Sequence, residues 1–174
     1  MTQYSTRMVL IHWLTLALLV AAWFLGEELA EATDDNRATL SGYIVHGLVG
    51  GSILLLTIAR LLFRSKDGTP PAIGQTAMDK VAKGVHHLLY TLLFILPVSG
   101  FVTVVTSDAG RALLSGDASL LPKDGGYDEV WAHEVHEVLV TALIALVIVH
   151  LLGAIKHQFI MKDGLMERML PRRK

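Results

Sequence analysis

Uncharged apolar segments recur four times along the chain and are separated by polar stretches. The windows without Asp, Glu, Lys or Arg are Met8–Leu25, Leu40–Ala59, Gly84–Ser107 and Val138–Ile155. About 20 apolar residues cross the hydrocarbon core of a bilayer as an α-helix. None of the windows shows the polar stripe expected of helices in a soluble bundle. The pattern predicts an all-α membrane protein, a bundle of four transmembrane helices. The expected helices run near residues 8–28, 40–64, 80–107 and 131–160.

The composition also favours a membrane protein. Apolar residues make up 52% and charged residues 18% of the 174-residue chain, whereas soluble domains carry about 25% charged residues. The absence of cysteine excludes iron–sulfur clusters, thiolate ligation of haem and covalent c-type haem attachment. The first window contains His12 and Trp13 and is longer than the apolar core of a signal peptide, so we interpret it as a membrane helix. Residues 1–174 are expected to form one domain.

The basic residues predict the orientation of the helices. Four spans place both termini on the same side of the membrane. Of the 15 lysines and arginines, only Arg37, Arg111 and Lys123 fall in the loops on the other side. By the positive-inside rule, both termini are cytoplasmic. Topology also explains the basic C-terminal tail, so no nucleic-acid partner is expected.

Histidines lie at membrane depth, where ionisable side chains are costly and usually functional. His136 and His150 are expected on nearly one face of the fourth helix, about 21 Å apart along its axis. His12 lies early in the first helix, at the inner level, and His46 lies early in the second, at the outer level. Therefore His12 matches His150 in height, and His46 matches His136. Two histidines per level suit the axial positions of a haem, whereas zinc takes four protein ligands, or three and a water. We predict two b-type haems.

Other residues near the two levels leave alternatives open. His133 is a rival ligand at the outer level, but His136 keeps phase with His150. Arg60 is expected to pair with a propionate of the inner haem or, alternatively, to snorkel and set the topology. Small residues around His46 either leave room for a flat ring or pack helices together. They are Gly42, Gly47, Gly50 and Gly51.

The order of these residues resembles the bacterial cytochrome b561 family of four-helix dihaem membrane cytochromes over nearly the whole chain. The matching pieces are Ile11-His12-Trp13, His46 with Arg60-Leu61-Leu62-Phe63-Arg64, Thr69-Pro70-Pro71, His86 with Leu92–Gly100, and His136-Glu137 with His150 and His157. The resemblance implies the ligand pairs His12/His150 and His46/His136, electron exchange with membrane quinone, and a multi-pass protein of the bacterial inner membrane. Some members are similar to superoxide oxidase, which passes electrons from periplasmic superoxide to ubiquinone.

The leading interpretation is a dihaem cytochrome that transfers electrons from a periplasmic donor to ubiquinone. If superoxide is the donor, Arg111, Lys123 and His133 are the candidates to steer this anion. The loop that holds Arg111 and Lys123 is otherwise acidic, whereas a site for an anion should be locally positive.

Reduction of a quinone also requires protons. The inner level holds His86, His87 and His157 near Lys80 and Lys83. These side chains can relay protons from the cytoplasm. We interpret His157 as a catalytic candidate, and His86 and Lys80 as cofactor-binding candidates.

Two alternatives have different partners. The first is a haem-bearing membrane anchor that takes electrons from a protein redox partner within a larger dehydrogenase or hydrogenase complex. The second is a metal transporter, although the membrane segments lack the carboxylates that such a path would favour. In either alternative, the four spans would still lie in contact with membrane lipid.

Overall fold

The computed structural model describes residues 3–71, 77–127 and 129–170, and this part of the chain is helical without strands. Three residues of the predicted cytoplasmic tail, Arg172, Arg173 and Lys174, lie outside the described residues. The α-helices are α1 Thr6–Asp34, α2 Leu40–Asp67, α3 Ala77–Thr106, α4 Asp108–Ser115 and α5 Trp131–Ile155. Short 3₁₀ helices are Ala118–Leu120 and Met166–Met169, and a π-helical segment, Lys156–Met161, continues α5.

Four of the helices are long and apolar enough to cross a membrane. The spans are Thr6–Asp34, Leu40–Asp67, Met78–Thr106 and Trp131–Met161. Many of their large apolar side chains point away from the bundle, among them Leu48 and Phe101. Lipid can cover such side chains at no cost, whereas water cannot. The predicted fold class, an all-α bundle with four membrane spans, is confirmed.

Two features of the outer end differ from the expectation. Helix α1 continues to Asp34 because its acidic residues remain good helix formers after the apolar run ends. The second outer loop contains a helix, α4, whose Ala109 and Ala112 are fully buried. An added Cβ at Gly110 would lie 2.6 Å from the Val104 carbonyl oxygen, so this glycine permits the close turn from α3 into α4. The glycines that suggest a loop therefore belong partly to a packed helix.

The packing of the long helices is uneven. Helix α1 packs against α2, α3 packs against α5, and α2 packs against α3. By contrast, in the described part of the chain the backbone of α5 makes only sparse contacts with α1 and α2. The bundle therefore leaves α5 separated from the α1–α2 pair.

The inner end is closed by contacts between distant parts of the chain. The Arg7 guanidinium forms an ion pair with Asp67, which joins the start of α1 to the end of α2. The Trp13 indole donates a hydrogen bond to the Met169 carbonyl oxygen over 2.9 Å. The C-terminal 3₁₀ segment thus lies beside the first turns of α1, close to His12.

Candidate functional site

Two pairs of histidines face each other across the gap between α5 and the α1–α2 pair. At the outer level, the rings of His46 and His136 have centroids 6.4 Å apart and an interplanar angle of 78°. At the inner level, the rings of His12 and His150 are 6.3 Å apart at 77°. Two imidazoles that bind one metal from opposite sides, at about 2 Å each, have centroids roughly 6 Å apart. Both pairs have the spacing of axial ligands.

The hydrogen bonds of His136 orient this ring in the way that a metal ligand would require. The Ser99 hydroxyl donates to the Leu96 carbonyl oxygen over 2.8 Å. Its oxygen can therefore accept from Nδ1–H of His136, which lies 2.9 Å away. With the proton on Nδ1, the lone pair of Nε2 is available to a metal. A second hydrogen bond of this kind typically fixes the tautomer and the orientation of a ligating histidine.

Glycines on neighbouring helices cradle the outer rings. A Cβ added to Gly100 would lie 3.0 Å from Cε1 of His136, and one added to Gly26 would lie 3.2 Å from Cε1 of His46. These observations fit a haem between His46 and His136.

The glycines near His46 take different roles. An added Cβ at Gly47, Gly50 or Gly51 would meet no atom within 4 Å. Gly50 lies one turn from His46 on the same face of α2, so the space beside it is compatible with a flat ring. A Cβ at Gly42 would instead lie 3.3 Å from a methyl of Leu29, so Gly42 belongs to the contact between α1 and α2.

A cation lies among the inner histidines. Nη1 of Arg60 is 2.7 Å from Nδ1 of His12, and the guanidinium lies 5.8 Å from the centre of the Tyr90 ring. Its Nε is buried and lacks a hydrogen-bond partner among the described residues. A guanidinium only donates hydrogen bonds, so His12 accepts at Nδ1, whereas iron binding through Nε2 requires the proton on Nδ1. Arg60 is therefore expected to turn from His12 to a propionate when haem binds.

His86 lies beside the inner pair rather than within it. Its ring centroid is 5.1 Å from that of His150, with an interplanar angle of 73°. This separation is shorter than the one between the rings of each matched pair. His86 therefore approaches the same ring from α3 and is suited to contact a group bound at the inner level.

The other inner candidates are dispersed. His157 lies on the π-helical segment, and its Nδ1 is 2.5 Å from Oδ2 of Asp163. Burial alone would raise the pKa of Asp163, but the hydrogen bonds with His157 and the Leu165 N–H outweigh it and lower this pKa. Lys80 is exposed near the start of α3, less than two turns before His86.

A cavity of about 280 Å³ opens at the outer end, above the start of α5. Its lining includes two of the three candidates for steering an anion, Lys123 and His133. The third, Arg111, is absent from the described lining and forms an ion pair with Asp108 over 3.1 Å. The cavity is also lined by Thr33, Asp34, Gly125, Gly126, Tyr127, Glu134 and Glu137. Carboxylates outnumber cations in this lining, and Lys123 is its main positive charge.

His133 belongs to this cavity and not to the outer pair. Its ring stacks on Tyr127 with centroids 4.3 Å apart, and its Nε2 lies 3.5 Å from a carboxylate oxygen of Glu137. The Tyr127 hydroxyl donates a hydrogen bond of 2.8 Å to the Tyr43 hydroxyl. Burial, together with this hydrogen bond, raises the pKa of Tyr127, so the hydroxyl stays protonated. Of the two outer rivals, it is His136 that faces His46.

Sequence reasoning missed several of these contacts. Ser99 and Gly100 lie in the Leu92–Gly100 motif, but nothing in their spacing indicates that they touch His136. Gly26 is one small residue near the end of an apolar run. Asp163 follows His157 by six residues, a separation that becomes a contact only because the π-helical segment ends between them.

Comparison with known proteins identifies the family of the chain. The family model for prokaryotic cytochrome b561 matches residues 3–172. The chain therefore belongs to the prokaryotic cytochrome b561 family, whose members are membrane electron-transfer proteins that bind b-type haem. With its four spans, it is a multi-pass protein of the bacterial inner membrane.

Relatives of known name align with nearly the full chain. It is 29% identical to cytochrome b562 of Cereibacter sphaeroides, over 96% of this chain and 94% of the relative. It is 25% identical to the probable superoxide oxidase CybB of Yersinia pestis, over 99% of this chain and 98% of the relative. It is 26% identical to cytochrome b561 homolog 2 of Escherichia coli, over 97% of this chain and 91% of the relative.

The close approach of α3 to the His136 ring gives a testable expectation. In Gly100→Val, the added carbons should displace the ring and weaken haem retention at the outer level by roughly tenfold, as lost support of a ligand typically does. Gly51→Val is the matched control, because a Cβ there meets no atom within 4 Å. Haem retained after gel filtration, compared between the two variants, measures the effect. Equal retention would mean that Gly100 does not shape the site.

Proposed function

We propose that this chain carries electrons from a periplasmic donor to ubiquinone through two haems b, held by His46/His136 and His12/His150. The observation that carries the proposal is the repeated ring geometry, 6.4 Å and 78° at one level and 6.3 Å and 77° at the other. The two ligands on α5 are separated by about 21 Å along the helix axis. One pair would therefore lie in the outer half of the membrane and the other in the inner half.

The ligand sets suit electron transfer rather than chemistry at the metal. Haems held by these pairs would supply one-electron redox chemistry, and two histidine ligands for each would leave no position for a substrate at the iron. The protein residues hold the imidazoles at fixed distances and orient them, as Ser99 and Gly100 do for His136. A competing zinc site is less suitable, because no three His, Cys, Asp or Glu side chains converge on a common point in the described residues.

At the inner end, protons for the quinone would come from the cytoplasmic side. The His157–Asp163 pair, with 2.5 Å between Nδ1 and Oδ2, can hold a proton at the membrane surface. His86, on the neighbouring α3, contacts the inner pair and can accept or donate a hydrogen bond. We assign proton delivery to these groups, whereas Lys80 is better placed to contact a bound anion or headgroup than to reach the histidines.

We further propose superoxide as the donor. The likeness to a probable superoxide oxidase supports it, as does the outer cavity, where Lys123 and His133 lie near the start of α5, close to His136. A small anion needs only a local positive charge, because charges beyond about 8 Å are screened at physiological salt. Arg111 stays outside this path because Asp108 neutralises it.

One observation favours the membrane-anchor alternative. Asp34, Glu134 and Glu137 line the same cavity as Lys123, and an acidic surface attracts a basic protein more readily than an anion. In that case the purified chain would accept electrons from its protein partner and show no reaction with superoxide above the spontaneous background.

The first test is the haem content. The purified protein should contain two haems b per chain, since each histidine pair holds one. Pyridine haemochrome spectroscopy combined with protein quantitation gives the ratio. A ratio near one would contradict the two-site proposal, and the absence of a b-type spectrum would show that neither histidine pair binds haem.

A further inference from the structure

The two histidine pairs lie in opposite electrostatic surroundings. Arg60 touches His12 at the inner level, with 2.7 Å between Nη1 and Nδ1. At the outer level Glu137 follows His136 in sequence, and Glu134 and Asp34 line the cavity above it. A positive charge therefore lies next to the inner pair, whereas the cavity above the outer pair is lined by more carboxylates than cations.

The hydrogen bonds to the rings differ in the same sense. At the outer level Nδ1 of His136 donates to the Ser99 oxygen, 2.9 Å away, which increases the electron density of the imidazole and of the metal it binds. At the inner level the neighbour of His12 is a guanidinium, which has donors only and keeps its charge at any physiological pH. The outer ligand becomes more electron-rich, and the inner site gains a fixed cation.

From this asymmetry we infer that Arg60 and Ser99 set the redox order of the two centres, so that the inner haem has the higher midpoint potential. The inference rests on the proposed function, because it requires a haem at each level. With a haem at each level, the outer centre would lose one electron and the inner centre would gain it, without a bond breaking or a proton moving. The transfer would be downhill because the inner centre has the higher midpoint potential.

Arg60 is well placed to act through its charge. Its Nε is buried and has no hydrogen-bond partner among the described residues. A charge within a few ångströms acts strongly in the poorly polarisable membrane interior, where water does not screen it. When Arg60 turns from His12 to a bound propionate, its charge is partly offset but stays at the inner level, while the carboxylates of the outer cavity would still lower the potential at the other level. The inner haem would therefore still have the higher midpoint potential.

Arg64 provides a matched control. It lies one turn after Arg60 on α2, its guanidinium is 6.0 Å from the centre of the same Tyr90 ring, and its side chain is exposed. Both residues are arginines over one aromatic ring, but only Arg60 contacts a histidine of the pair.

Spectroelectrochemical titration of the purified holoprotein tests the inference. In His46→Ala, which removes an outer ligand, the remaining component should be the one with the higher potential in the unmodified protein. Arg60→Gln should lower that component by at least about 59 mV, a tenfold change in the one-electron equilibrium. Arg60→Lys and Arg64→Gln should leave it nearly unchanged, and Ser99→Ala should raise the other component.

The outcomes separate the inference from the proposed function. If the unmodified protein holds fewer than two haems, the proposed function fails and the inference fails with it. If two haems bind but His46→Ala retains the lower-potential component, only the inference is overturned. A normal haem content with unchanged potentials in Arg60→Gln likewise overturns it. Should Arg60→Gln not fold, the component retained by His46→Ala still decides the order.

Discussion

The His46→Ala variant is expected to lose the outer haem completely and to keep the inner one. The substitution removes one of two axial ligands, and the remaining His136 ring would face open space where its partner lay 6.4 Å away. The inner pair is roughly 21 Å distant along α5, so its ligands are not disturbed. Haem content should fall by about half, and a redox titration should show one component instead of two.

The reciprocal variant and a neighbouring histidine serve as controls. His12→Ala should remove the inner component and spare the outer one. His133→Ala should retain both haems, because this ring stacks on Tyr127 at 4.3 Å and faces the cavity. Loss of the outer haem in His133→Ala, with retention in His136→Ala, would show that the wrong histidine of α5 has been assigned to the outer pair.

The heights and faces of the four histidines proposed as ligands could be predicted from the sequence because an α-helix rises and turns by a fixed amount per residue. The positions of His136 and His150 fix both the axial distance and the shared face once the segment is known to be helical. The order of the spans then fixes which end of the membrane His12 and His46 occupy. These arguments need only backbone regularity and the thickness of the bilayer.

Contacts between helices were beyond the sequence because they depend on rotation and crossing angle. Nothing in the spacing of Ser99 and Gly100 shows that they meet His136, since that contact depends on how α3 packs against α5. The prediction for the outer loop was incomplete. Its glycines suggest turns, whereas part of it forms the helix α4. Its two buried alanines, Ala109 and Ala112, become a packing face only once Tyr43 of α2 and Leu121 of the outer loop are in place.

Charge counting has a similar limit. The sequence gives Arg111 and Lys123 equal weight as cations of the outer loop. In the structure Asp108 neutralises Arg111 one turn away on the same helix, whereas Lys123 lines the cavity. The fold distinguishes the two cations, because only Lys123 belongs to the described lining of the cavity proposed for the anion.

Superoxide is therefore expected to reduce the haem in a way that depends on Lys123 and hardly on Arg111. In Lys123→Glu, the cavity loses its main cation and gains a further carboxylate, so the second-order rate of reduction should fall by roughly tenfold or more, as the loss of electrostatic steering does. Arg111→Glu is the matched control, because the same change of charge occurs on an exposed residue outside the described lining of the cavity.

Stopped-flow spectroscopy of the purified protein, with superoxide as the reductant and a ubiquinone analogue as the acceptor, measures these rates. Raising the ionic strength should slow the reduction of the unmodified protein, because the attraction is screened over about 8–10 Å. It should affect Lys123→Glu much less or in the opposite direction, since the remaining field repels the anion. Equal rates in both variants would keep superoxide as the donor but remove Lys123 from its path. No reduction above the spontaneous background would instead assign the acidic cavity to a basic protein donor, as the membrane-anchor alternative requires.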